Sequence, residues 1–161
     1  MSHLWVRFNA DINQKSYNQL ARLIDNAINN EFEKISILAT SGGGVTKIGV
    51  STYNLLKTCP IETRIFNLGH IESAGVAAFA GADHRFALPT ARFLIHRASW
   101  HLQERLTRDE LAEKVAILDR EHEDYFQIFR RIFSCDDDNL HEMLRRGKSV
   151  RLRRSKGYWA S

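Results

Sequence analysis

Three short segments hold the residue types needed to attack a carbonyl: Ser41-Gly42-Gly43-Gly44, Gly69-His70-Ile71-Glu72-Ser73-Ala74-Gly75 and Arg92-Phe93-Leu94-Ile95-His96. A serine between a strand end and the first turn of a small-residue helix exposes its hydroxyl beside unpaired amides that bind an anion. A glycine-rich turn ending a neighbouring strand can aim a second amide at the same point. Two amides on one oxygen make an oxyanion hole, each donor typically worth ~10²–10³ in rate. A histidine closing a later strand can act as the general base without which serine is a poor nucleophile. Each segment also has a plainer use: a lone Ser-x-Gly is more often a helix cap, and a strand-end histidine more often structural.

Such groups must be positioned, and the hydropathy pattern supplies alternating strands and helices. Leu4–Phe8 reads as a first strand, followed by a helix from about Lys15 to Asn29 with Tyr17, Leu20, Ile24, Ala27 and Ile28 on one face. Ile35–Thr40 is a β-rich run, a second helix spans about Val45 to Lys57, and Thr63–Leu68 is the next strand, closed by Gly69. The small-residue stretch Ser73–Ala82 predicts a helix packed tightly on a sheet. Arg85–Leu88 and Arg92–Ile95 flank Pro89-Thr90 as two further strands. This alternation argues for an α/β fold on a parallel sheet.

A long helix follows. Thr107-Arg-Asp-Glu110 is a capping box, and Leu111, Val115, Leu118, His122, Tyr125, Phe129 and Ile132 then recur at heptad spacing. That seam packs one helix against another and projects beyond the sheet, so its partner is expected to be another subunit, with His122 a packing or interface histidine. The chain reads as a single domain over residues 1–161: a core at about 4–100, the long helix at about 107–133 and a basic segment at 145–161.

Of 161 residues, 43% are hydrophobic and 26% charged, which excludes a disordered, collagen-like or disulfide-stapled chain. The net charge of +4 is a local property. Seven basic residues and no acidic ones lie between Arg145 and Lys156, leaving −3 for the rest. A basic segment without a reader motif is weak ground for nucleic-acid binding. The longest small-apolar run, Val76–Ala82, is far short of the ~18–20 residues that span a bilayer, and no signal peptide is visible. Cys59 and Cys135 read as unpaired thiols of a reducing cytosol, so a cytoplasmic location is expected.

In this order, Ser41-Gly-Gly-Gly-Val45, Gly69-x-x-x-Ser73-x-Gly75 and Arg85-Phe-Ala-Leu-Pro89 with Arg92-Phe-Leu-Ile-His96 resemble the Clp protease proteolytic subunit (ClpP), over roughly residues 4–140. That family is the serine-peptidase branch of the ClpP/crotonase fold, an α/β spiral core of ββα units with a projecting handle helix. The resemblance implies Ser73 as nucleophile, His96 as general base, and the Gly43 and Ala74 amides as oxyanion hole, with Gly42 shaping the turn. It implies no cofactor and no metal, peptide or unfolded-protein substrates, and a homo-oligomer of stacked heptameric rings joined by the helix from Thr107.

The chain also departs from the family. The aspartate that orients the histidine has no counterpart in Gly147-Lys-Ser-Val-Arg-Leu152, where Ser149 or Arg151 stands near the expected position. Asp136, Asp137 and Asp138 fall too early and read as a helix cap or a solvated turn. Glu72 adjoins the nucleophile, and adjacent residues point different ways. The third triad member is therefore unassigned. In serine proteases, losing that carboxylate costs ~10⁴ in turnover. With the first strand starting at Leu4, the segment before it is shorter than the family's pore-lining N-terminal segment, which weighs against coupling to an ATPase unfoldase, and the ending from Arg153 reads as truncated or altered.

The expectation is a serine endopeptidase working through an acyl-enzyme in an oligomeric chamber. The alternative is a catalytically weak or inactive scaffold subunit. A crotonase-type acyl-CoA enzyme ranks third and would not need Ser73. Other motifs fail: Glu142 stands where a phosphate loop before Gly147-Lys148-Ser149 needs glycine, the Gly42–Gly44 turn lacks the later glycine of a dinucleotide fingerprint, and the seven histidines show no metal-ligand spacing.

Overall fold

Alternation of period-2 and period-3.6 apolar residues becomes a sheet with helices packed on it in the computed structural model, which describes residues 2–150. The elements are β1 (His3–Asn9), α1 (Gln14–Asn29), β2 (Lys34–Ser41), α2 (Thr46–Lys57), β3 (Glu62–Glu72), α3 (Ala74–Ala80), β4 (His84–Ala87), β5 (Arg92–Ile95), α4 (Arg108–Phe129), α5 (Asp137–Arg146) and β6 (Lys148–Val150). The sheet runs β1-β2-β3-β5-β6, with β4 also beside β3. All pairings are parallel except β5 with β6. Along β2, Ile35, Ile37 and Ala39 line one face and are all buried, while Leu38 on the opposite face is partly covered.

Helix α1 starts where Asn13 accepts from the Ser16 amide and Ser16 Oγ accepts from the Asn13 amide. It buries Leu20, Ile24 and Ala27. All seven residues of α3 are buried, so its small side chains are what let it lie between the sheet and α2.

The third strand is longer than its sequence suggests. It continues through Gly69 to Glu72 because its partner changes midway: Arg64–Asn67 pair with His84–Ala87 of β4, then His70–Glu72 with Arg92–Leu94 of β5. Asn67, fully buried, stitches the changeover. Its Nδ2 donates to the Arg92 carbonyl at 2.9 Å, and its Oδ1 accepts from the Gly69 amide at 3.0 Å. The strand therefore carries Ser73 to the end of β5, one position before the level of His96.

Helix α4 begins at the expected capping box, the Thr107 amide donating to Glu110 Oε2 at 2.8 Å. The heptad seam splits in two. Tyr125 and Phe129 are buried in the core with Phe126 and Ile128, whereas Leu111 and Val115 each remain 49% exposed. His122 is half-buried with neither ring nitrogen hydrogen-bonded among the described residues, and desolvation followed by the nearby Arg97 charge lowers its pKa. The seam ends earlier than its pattern, since α4 stops at Phe129 and Ile132 lies in the following turn.

Of the two readings of the acidic run, the helix cap holds: Asp136 caps α5 by accepting from the Asn139 amide at 2.8 Å. After α5, β6 adds an antiparallel edge to β5. Residues 151–161, including Arg151, Arg153, Arg154 and Lys156 of the basic segment, lie outside the described residues. Among the described residues, no helix is long and apolar enough to cross a membrane.

Candidate active site

Ser73 occupies the joint between β3 and α3 with φ 49° and ψ −121°, a conformation that an L-residue takes up only when its surroundings impose it. Two bonds hold it there. The Ser73 amide donates to the Leu94 carbonyl of β5 at 2.8 Å, and the Ser73 carbonyl accepts from the Val76 amide at 2.9 Å. Such a residue stores about 1–3 kcal/mol of strain. In return, the side chain leaves the line of the strand and stands at the head of α3, where the Ala74 amide has no intrahelical acceptor.

The glycine turn after β2 comes directly against this joint. Gly43 has φ +91°, and a Cβ there would lie 2.8 Å from both the Glu72 carbonyl oxygen and Ser73 Cβ. Only glycine lets the two backbones approach so closely. The Gly43 amide itself donates to Ser41 Oγ at 3.2 Å. The amide of Gly44 makes no hydrogen bond among the described residues and is a second candidate donor beside Ala74. Gly42 lies exposed at the head of the turn, its missing Cβ 3.5 Å from Asp11 Oδ1.

His96 follows β5 directly. The ladder pairs Glu72 with Leu94, so His96 stands just past the level of Ser73 on the adjacent strand. Its Nδ1 lies 2.7 Å from the Arg97 carbonyl oxygen. A carbonyl can only accept, so Nδ1 carries the proton, and the lone pair of the neutral ring resides on Nε2. Ser73 Oγ has no hydrogen bond among the described residues, with His96 or any other group; catalytic hydrogen bonds of this kind are often long before substrate binds.

No carboxylate forms an ion pair with His96 among the described residues. Asp137 pairs with Arg130 at 3.0 Å, and Asp136 is spent on its cap; both lie at the far end of α5, whose ten residues span about 15 Å. Gly147 lies beside His96: a Cβ there would lie 3.7 Å from His96 Cβ. Ser149 pairs with Leu94, two positions back along β5. Arg151 is outside the described residues.

Beside the glycine turn opens a cleft of about 650 Å³, lined in part by Gly44, Val45, Trp100, Leu102, Asp11 and Glu121. Trp100 Nε1 donates to Glu121 Oε2 at 3.2 Å and fastens the segment after His96 to α4. Among the described residues no group of three or more His, Cys, Asp or Glu is placed to hold a metal. Cys59 and Cys135 are free thiols whose pKa values are raised, chiefly by burial, which disfavours the reactive thiolate.

Three features of this site escape sequence reasoning: the free Gly44 amide, the Arg97 carbonyl and the position of Gly147. The last had a visible signal. Leu140 and Leu144 four apart, then Arg145-Arg146-Gly147, is a helix ending in a left-handed glycine cap, and Gly147 indeed has φ +64°.

A family model described as Clp protease matches residues 2–154. The ATP-dependent Clp protease proteolytic subunit of Paracoccus denitrificans is 38% identical over 69 residues, covering 42% of this chain and 35% of that protein. The match thus spans about a third of that relative's length. A solved structure, a ClpP1 mutant from Listeria monocytogenes, superposes with a TM-score of 0.80 at 18% identity, covering 91% of this chain and 81% of that one. At that identity the likeness establishes the fold, which is the crotonase-like α/β fold of ClpP.

Proposed function

The chain belongs to the Clp protease family, and from that premise we propose that it is a serine endopeptidase hydrolysing peptide bonds through an acyl-enzyme. The observation that carries this reading is the strained Ser73 at the head of α3, one position before the level of a histidine whose Nδ1 is already engaged and whose Nε2 is left as base. Ser73 Oγ attacks the carbonyl carbon of the scissile bond as His96 Nε2 takes its proton. The same proton passes to the leaving amine, and a water activated by His96 then hydrolyses the ester. The oxyanion is received by the Ala74 amide and the glycine turn. Gly43 fills that role if its amide exchanges Ser41 Oγ for the oxyanion, and the Gly44 amide needs no exchange.

The cleft beside Gly44 supports an extended peptide as substrate, its apolar side chains meeting Val45, Trp100 and Leu102. The exposed Leu111 and Val115 of α4 support assembly of identical chains through that helix, as in the ring chambers of the family. A cytoplasmic location belongs to the same proposal, and an ATPase partner is not part of it.

Hydrolysis of a fluorogenic peptide by the purified protein tests it: activity abolished by both Ser73→Ala and His96→Ala is the expected result. A folded, assembled protein without Ser73-dependent hydrolysis would make the chain a scaffold subunit. The observation on that side is the missing acid beside His96.

A further inference from the structure

His96 is held by main chain where an acid would otherwise stand, and the contacts around it form one connected unit. The Arg97 carbonyl accepts from His96 Nδ1 at 2.7 Å. The Arg97 amide donates to the carbonyl of Leu144 at 3.1 Å, so the residue is fixed on both sides. Leu144 is itself buried, and its carbonyl also accepts from the Gly147 amide at 3.4 Å, the bond that closes α5. One carbonyl oxygen at the end of α5 therefore anchors both Arg97, which holds the imidazole, and Gly147, which lies beside it. β6 then pairs Lys148 with Ile95 and keeps this end of α5 against β5.

Resting on the peptidase reading above, we infer that the Arg97 main chain is the positioning group of this site, replacing a side-chain carboxylate, and that the last turn of α5 sets it. A carbonyl dipole performs one part of what a carboxylate does. It selects the Nδ1–H tautomer and the ring orientation, which leaves Nε2 free to take the Ser73 proton. It lacks the full negative charge that stabilises the imidazolium formed in the transition state. The site is therefore oriented but electrostatically weaker than a triad, and its weakness is a matter of charge rather than of geometry.

The test has one arm on the native protein and one on a backbone variant. With ¹⁵N-histidine labelling and His96→Gln to assign the signals, the neutral His96 ring is expected to show a pyrrole-type Nδ1 and a pyridine-type Nε2. A dominant Nε2–H tautomer overturns the inference. This readout does not depend on any catalytic activity. If it is as expected while Ser73 fails to react, the peptidase reading falls and the positioning stands.

In the second arm, an α-hydroxy acid at position 98 converts the Arg97–Ala98 peptide bond to an ester, whose carbonyl is a weaker acceptor. The Ala98 amide that is lost makes no hydrogen bond among the described residues, so no other contact goes with it. The rate of fluorophosphonate reaction at Ser73 is expected to fall roughly fivefold, the factor one weakened hydrogen bond is worth, and the Nε2–H tautomer to gain population. A folded ester variant with unchanged rate and unchanged tautomer overturns the inference.

Discussion

Replacing Gly147 by Asp puts a carboxylate on the residue beside His96. A Cβ there would stand 3.7 Å from His96 Cβ, an ordinary van der Waals contact, so the added Cβ is accommodated. The backbone cost is modest. Gly147 has φ +64° and ψ 74°, and an L-residue in the left-handed region costs roughly 1–2 kcal/mol, with Asp and Asn the best tolerated. On the other side stands the ~10⁴ in turnover that a carboxylate contributes behind a catalytic histidine, or about 5 kcal/mol at 1.36 kcal/mol per decade. Even an imperfect placement is expected to raise peptide turnover by about 10². The carboxylate favours imidazolium, and the base form of His96 is the one that works, so the rising limb of the pH–rate profile moves to higher pH. Gly147→Asn imposes the same backbone strain without the charge and is expected to stay within about tenfold of the native rate. Peptide hydrolysis across pH, with folding followed by circular dichroism, compares the three proteins. A folded Gly147→Asp protein with native rate and native pH profile would refute the reasoning that charge at this position is what the site lacks.

Other consequences test different parts of the structure. Gly43→Ala forces a Cβ to 2.8 Å from the Glu72 carbonyl at φ +91° and is expected to destabilise by at least about 2 kcal/mol and abolish activity, whereas Gly69→Ala, with nothing within 4 Å of its Cβ, should stay within about 0.5 kcal/mol by urea unfolding. Asn67→Ala orphans the Arg92 carbonyl and the Gly69 amide at the β4–β5 changeover and should cost about 2–4 kcal/mol in the same assay. Leu111→Asp with Val115→Asp charges the open half of α4 and, on the proposed assembly through that helix, should give smaller species in sedimentation than the native chain without unfolding it. Glu142 is held at a pKa of about 2, first by its hydrogen bond from Arg145 and also by that from Arg146. A depressed folded pKa stabilises above the unfolded value of 4.5 and ceases to do so as pH falls through about 2; Glu142→Gln should remove that part of the acid dependence in pH-titrated unfolding.

Much of this was legible in the chain, for identifiable reasons. Helices α1 and α2 and strand β5 follow from local periodicity and turn residues, because each buries one apolar face. The Thr107–Glu110 box marks the start of α4 because a cap is a contact within four residues. Features that depend on distant partners were not legible. The end of β3 is set by a change of neighbour and by the buried Asn67, so Gly69 looked like a terminator when it is only a passing point. The heptad seam of α4 does not say where the core ends, and Tyr125 and Leu111 look equivalent until the sheet is placed. Within the site, the strain at Ser73 and the close approach of Gly43 follow from main-chain geometry. The carbonyl of Arg97 is a group every residue has, so no residue type announces its use.

Fluorophosphonate labelling of the purified protein, with the modified residue located by mass spectrometry, puts the central claim to its most direct test. A single adduct on Ser73 is expected, its rate slowed by about 10² or more in His96→Ala and its formation lost in Ser73→Ala. A folded, assembled protein that takes no label at Ser73, or takes it equally well without His96, would contradict it.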